Sequence, residues 1–79
     1  MPGLIFYYQP ECHLCDEAKA LLHAAGLAGA YRKVDISGVP ELLMRYEIHV
    51  PVLQREDDQA ELYWPFSERE LAVFVKAGG

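Results

Sequence analysis

The chain is short of basic residues, of long apolar runs and of cysteine, and each shortage closes off a class of function. Seven Lys and Arg stand against twelve Asp and Glu, a formal net charge of −5. Nucleic-acid and anionic-membrane surfaces need clustered cations, so no nucleic acid and no membrane is expected as a partner. No apolar run is long enough to cross a bilayer, and no basic segment followed by an apolar one opens the chain. Neither a membrane span nor a secretory signal is therefore expected. Internal repeats, low-complexity stretches and linkers are missing too. With 79 residues there is room for one core, and a single domain over 1–79, acting as a monomer, is expected. If Met1 is the native start, the expected location is cytoplasmic, where two cysteines point to catalysis or metal binding rather than to a structural staple.

What is present reads as globular: 52% of residues are hydrophobic and 24% charged. The two cysteines form one motif, Cys12-His13-Leu14-Cys15. It follows the apolar run Leu4-Ile5-Phe6-Tyr7-Tyr8, stopped by Gln9-Pro10, and precedes a helical pattern. A thiol at the first turn of a helix meets unpaired N–H groups and the positive end of the helix dipole, both of which favour thiolate. The second thiol, three residues on, is within reach to close a disulfide.

Leu4–Tyr8 is expected as a buried strand. From His13 to about Ala25 the residues Leu14, Ala18, Leu21, Leu22 and Ala25 follow helical spacing, with Gly26 as the stop. A second strand is expected over Ala30–Ile36, and a second helix from Glu41 to about Tyr46, with Pro40 near its first turn. Val50-Pro51-Val52-Leu53 reads as a third strand, Gln54–Gln59 as a solvated polar turn and Ala60–Tyr63 as a fourth strand. Ser67-Glu68-Arg69-Glu70 fits a capping box opening a last helix striped by Leu71, Phe74 and Val75 and ended by Gly78-Gly79. The order β-α-β-α-β-β-α predicts an α/β fold: a four-stranded mixed sheet with helices on both faces.

In that topology the C-x-x-C points to thiol–disulfide exchange. Cys12, at the helix start, is the expected nucleophile and the more exposed thiol; Cys15, one turn in, is the expected resolving thiol. His13 could raise the thiolate fraction when charged or be an ordinary exposed residue of the first turn, and the sequence leaves both open. Glu11, Asp16 and Glu17 act against a thiolate. A self-contained zinc site would need four ligands. One C-x-x-C with His13, His23 and His49 offers neither a second C-x-x-C nor paired-histidine spacing, so no resident metal is expected. A site or cluster shared between two chains stays open. Trp64 and Phe66 either close the core under the last helix or form an apolar wall beside Cys12 that meets a peptide.

Strand, C-x-x-C, helix and Val-Pro before the third strand resemble the thioredoxin fold in its minimal, glutaredoxin-like form. Cys12-His13-Leu14-Cys15-Asp16, Val50-Pro51-Val52-Leu53 and Leu62-Tyr63-Trp64-Pro65-Phe66 are similar to a small bacterial glutaredoxin-like family described as a domain of unknown function. The resemblance implies that Pro51 is cis and packs against the disulfide, and that the Val50 backbone pairs with an incoming substrate like an added strand. With Cys12, Cys15 and His13, Trp64 completes the expected site. Three departures bear on the ligand. His13-Leu14 stands where glutaredoxins usually have Pro-Tyr, and Gln9 where they often carry a glutathione-binding lysine. Trp64-Pro65-Phe66 replaces a Gly-Gly pair whose backbone cradles glutathione. Glu68 and the helix start at Ser67 remain as a carboxylate-receiving end, so glutathione stays an open ligand and no cofactor is expected. The reading is a thiol–disulfide oxidoreductase whose partner is a protein disulfide or a reductase. The alternatives are a metal or iron–sulfur module using the same thiolates and a redox-inactive interaction domain.

Overall fold

The structure is a computed structural model describing residues 3–77. Its elements run β1 (Leu4–Tyr8), α1 (His13–Ala24), β2 (Tyr31–Asp35), a 3₁₀ turn (Ile36–Gly38), α2 (Pro40–Tyr46), β3 (Val52–Arg55), β4 (Glu61–Tyr63) and α3 (Glu68–Ala77). The sheet order is β2-β1-β3-β4, with β1 and β2 parallel and the other two pairs antiparallel. This is the expected four-stranded mixed α/β sheet.

The period-two geometry of β1 divides the core. Leu4 and Phe6 point to the face covered by α1 and α3, where they meet Ala18, Leu22, Leu71 and Val75; Ile5 and Tyr7 point to the face covered by α2, where they meet Tyr46. Each fully buried aliphatic side chain contributes about 1.5–3 kcal/mol over an exposed one.

Local chemistry sets the helix ends. Gly26, at φ +80°, stops α1: its N–H donates to the His23 carbonyl and the N–H of buried Leu27 donates to that of Leu22, a Schellman arrangement. The capping box of α3 is present in both directions. The Glu70 N–H donates to Ser67 Oγ at 3.0 Å, and the Ser67 N–H donates to Glu70 Oε1 at 3.0 Å. Gly78-Gly79 lie outside the described residues.

Three expectations need correction. The buried stripe of α1 is Cys15, Ala18 and Leu22, while Leu14 is 47% exposed. The helix begins at His13 with Cys15 turned inward, so the position before it falls outside the stripe. The third strand begins at Val52 rather than Val50, because the Val50 N–H donates back to the Tyr46 carbonyl at 3.0 Å and continues the turn of α2. Gln54 and Arg55 belong to that strand and not to a polar turn. Arg55 is buried because Asp58 takes its Nε and Nη2 protons, Nη1 donates to the Phe74 carbonyl at 2.7 Å, and the guanidinium lies 4.6 Å from the Phe74 ring centroid. Asp58, expected as solvated, is thereby committed to an ion pair.

Candidate redox site

The end of β1 delivers the chain to a turn through Pro10 and Glu11. Glu11 sits at φ 57°, a left-handed conformation that costs a side-chain-bearing residue. Cys12 follows in extended geometry as the N-cap of α1. Its Sγ accepts the Cys15 N–H at 3.1 Å, and its carbonyl accepts the Asp16 N–H at 3.1 Å. The sulfur thus takes the place that a serine or aspartate oxygen fills at other helix starts, facing the N–H groups that are unsatisfied there. Cys12 and Cys15 are joined as a disulfide with Cα atoms 5.1 Å apart. The two sulfurs are unequal. Cys15 is 3% exposed within the core, whereas Cys12 is half-buried at its edge.

Part of the expected set shares one core cluster with this pair. Cys12, Val50 and Trp64 all pack on the α1–α3 core cluster. Pro51 is fully buried, and its carbonyl accepts the Trp64 N–H at 3.3 Å, which ties the segment before α3 to the start of β3. The Val50–Pro51 and Trp64–Pro65 peptides are both cis. Trp64 is half-buried and meets the buried Phe66 edge-on, with ring centroids 5.0 Å apart. Of the two readings of these aromatics, Phe66 takes the first, closing the core. Trp64 packs against the core cluster and is only half-buried.

His13 is less integrated. Its side chain is 89% exposed and its imidazole lies 3.9 Å from Glu17, one turn along the same helix. The nearby carboxylates Glu11, Asp16 and Glu17 are all exposed, which screens their effect on Cys12. Among the described residues, no group of three or more His, Cys, Asp and Glu side chains is placed to hold a metal.

The Val50 N–H is already used within the chain, as a donor to the Tyr46 carbonyl. Two neighbours of the site carry no signal in the sequence pattern. Leu14, inside the motif, is exposed, and Ile48, two residues before Val50, is 87% exposed. Exposed apolar residues in helical or loop spacing are indistinguishable from core residues until the helix phase is known. Behind the loop, buried Tyr46 donates to Glu61, and the Tyr63 hydroxyl donates to the same carboxylate at 2.9 Å. Burial, then the Glu61 carboxylate, pushes the Tyr46 hydroxyl up to about 12, so it remains a neutral donor at ordinary pH.

Comparison with known proteins agrees with this geometry. The family described as "Glutaredoxin-like domain (DUF836)" matches residues 3–76. Among solved structures, the X-ray structure of the structural-genomics target protein XcR50 from X. campestris is 36% identical, with a TM-score of 0.87, covering 98% of this chain and 100% of that one. The solution structure of the same protein gives 36% identity and a TM-score of 0.86 over 98% of this chain and 96% of that one. Protein Ne2328 from Nitrosomonas europaea is 26% identical with a TM-score of 0.77, over 94% of this chain and 92% of that one. No protein of curated function matches the chain. A family match over residues 3–76, together with a solved structure 36% identical over 98% of this chain, places the chain in the glutaredoxin-like domain family.

Proposed function

We propose that the protein is a thiol–disulfide oxidoreductase that reduces protein disulfides in the cytoplasm. The observation that carries the reading is the inequality of the two sulfurs: Cys12 half-buried at a helix N-terminus, Cys15 buried one turn behind it and bonded to it.

In the reduced protein the Cys12 thiolate, held by the N–H groups of the α1 start, attacks one sulfur of a substrate disulfide. The S–S bond breaks, the first substrate sulfur leaves as a thiolate and takes a proton from solvent, and a Cys12–substrate mixed disulfide remains. The Cys15 thiol loses its proton and attacks Cys12 Sγ. This forms the Cys12–Cys15 disulfide and releases the second substrate sulfur. Two electrons pass to the substrate, and an external dithiol reductant must return them. Burial of Cys15 keeps it from competing for the substrate, while its sequence position keeps it in reach of Cys12.

The surroundings favour a protein over glutathione. Leu14 and Ile48 present apolar side chains to solvent, and Trp64 offers a partly open ring. Gln9 supplies no positive charge for a glycyl carboxylate. Trp64 and Phe66, packed edge-on, are bulky residues where glutaredoxins have glycines that let a ligand approach the backbone closely. In this reading the Val50 backbone meets the substrate segment, with the fully buried Pro51 behind it and the exposed His13 next to Cys12 at the start of α1.

The test is insulin reduction with a small dithiol as electron source. Cys12→Ser is expected to abolish turnover, and Cys15→Ser to accumulate a mixed disulfide visible by intact mass. Undiminished turnover by Cys12→Ser would rule the mechanism out. Glutathione tested in the same assay is expected to form little mixed disulfide with Cys12.

A further inference from the structure

The Glu47–Val50 loop, set against the substrate in this reading, is held from behind through an exposed carboxylate, Glu61. Tyr46 ends α2, and its carbonyl accepts two N–H groups of the loop, from His49 at 2.8 Å and Val50 at 3.0 Å. The Tyr46 ring is buried and stacked on Tyr7, with centroids 4.6 Å apart, so its one directional polar anchor is the hydroxyl. That hydroxyl donates to Glu61 on the edge strand β4. The other oxygen of Glu61 accepts the Tyr63 hydroxyl at 2.9 Å, and the His49 ring stacks on Tyr63 at 5.1 Å. Arg45 lies over the Tyr46 ring at 5.9 Å and supplies the nearby positive charge. The loop is therefore gripped twice, through the Tyr46 backbone and through the His49 ring, and both grips lead to Glu61.

We propose that Glu61 is a positioning residue for substrate recognition: by fixing Tyr46 and Tyr63, it sets the placement of the His49–Val50 backbone that a protein disulfide meets. This rests on the oxidoreductase reading above. Glu61 contacts neither sulfur, so its removal acts on the meeting of substrate and loop and not on the exchange steps at Cys12. A small aromatic disulfide, which needs no strand-like pairing, is indifferent to it. The residue three positions before Trp64 thus tunes specificity through the sheet edge, without touching the substrate.

The test uses the full chain with Glu61→Leu, Glu61→Gln and Tyr63→Phe, the last keeping the ring under His49 and removing only its hydroxyl bond to Glu61. In Glu61→Leu, amide exchange at His49 and Val50 is expected to quicken about tenfold while Leu53 in β3 keeps its rate. The KM for insulin is expected to rise about fivefold, with kcat and the rate on a small aromatic disulfide held within about twofold, the pattern of lost binding rather than lost chemistry. Glu61→Gln, which keeps an acceptor oxygen, is expected to recover most of both effects, and Tyr63→Phe to show a smaller version of them. An unchanged KM would overturn the proposal. So would a parallel fall in kcat and the small-disulfide rate, or exchange at Leu53 rising with the loop. A wild-type protein that reduces neither disulfide would sink the oxidoreductase reading instead, and loop exchange alone would then decide whether Glu61 places the loop.

Discussion

Beneath α1 and α3 the buried side chains are apolar throughout, Leu4, Phe6, Ala18, Leu22, Leu53, Phe66, Leu71 and Val75, with Cys15 set among them. Beneath α2 the cover is Ile36 and Val52 with two stacked tyrosines, whose hydroxyls bond Gln54 and Glu61. The first face is held by non-directional burial, which fixes volume but tolerates sliding, except at its edge, where Arg55 bonds Asp58 and the Phe74 carbonyl. The second is held at defined angles by hydrogen bonds. That division matches the roles proposed for them. Burying one sulfur and leaving its partner at the edge needs only a dry wall. Presenting a peptide edge at Val50 needs an oriented loop, and oriented loops need directional contacts.

Stability measurements should separate the two faces. Leu22→Ala, at a site with no exposure on the α1 side, is expected to cost about 3 kcal/mol in urea unfolding through lost burial and the cavity left behind. Tyr46→Phe keeps the ring and removes only the hydroxyl. It is expected to cost about 1 kcal/mol, since Glu61 regains water as a partner. Equal losses would break the distinction between a face held by burial and one held by hydrogen bonds. A smaller effect belongs to the turn that joins β1 to the redox helix. Glu11→Gly removes the Cβ from a left-handed position and is expected to stabilise by about 0.5–1 kcal/mol in the same assay.

The least effect is expected in acid, at the buried cation Arg55. The Arg55 guanidinium, with further help from the Ala60 N–H, holds the Asp58 carboxyl down to about 2. A carboxyl lowered in the folded state contributes stability that is complete above the ordinary range near 3.8 and is lost as pH falls through about 2. Wild-type protein should therefore lose stability more steeply than Asp58→Asn across this window, and the two should run parallel near neutral pH. Parallel curves throughout would show that the pair is too exposed to matter.

Features whose partners lie within a few residues are legible in the sequence. The Ser67–Glu70 box, the Gly26 stop and the Cys12–Cys15 spacing each depend on positions three to five residues apart, and each appears where the pattern puts it. The four strands and three helices follow from the same local periodicities. Arg55 is different. A charged residue in a polar stretch reads as solvated until the Phe74 carbonyl, brought close only by folding, gives it somewhere to donate. The Tyr46–Glu61 contact spans fifteen positions, and nothing in either segment's pattern points to the other. Leu14 shows a subtler limit: helical spacing identifies a stripe but not its phase, and a shift of one residue moved Cys15 inward and Leu14 out.

The central claim is that the two thiols have different jobs because they have different surroundings. Timed alkylation of the freshly reduced protein with iodoacetamide at neutral pH, with each modified cysteine located by peptide mass, measures that difference directly. The expected result is modification of Cys12 at least about tenfold faster than Cys15, as exposure and a helix-start thiolate together require. Equal rates, or faster modification of Cys15, would contradict it.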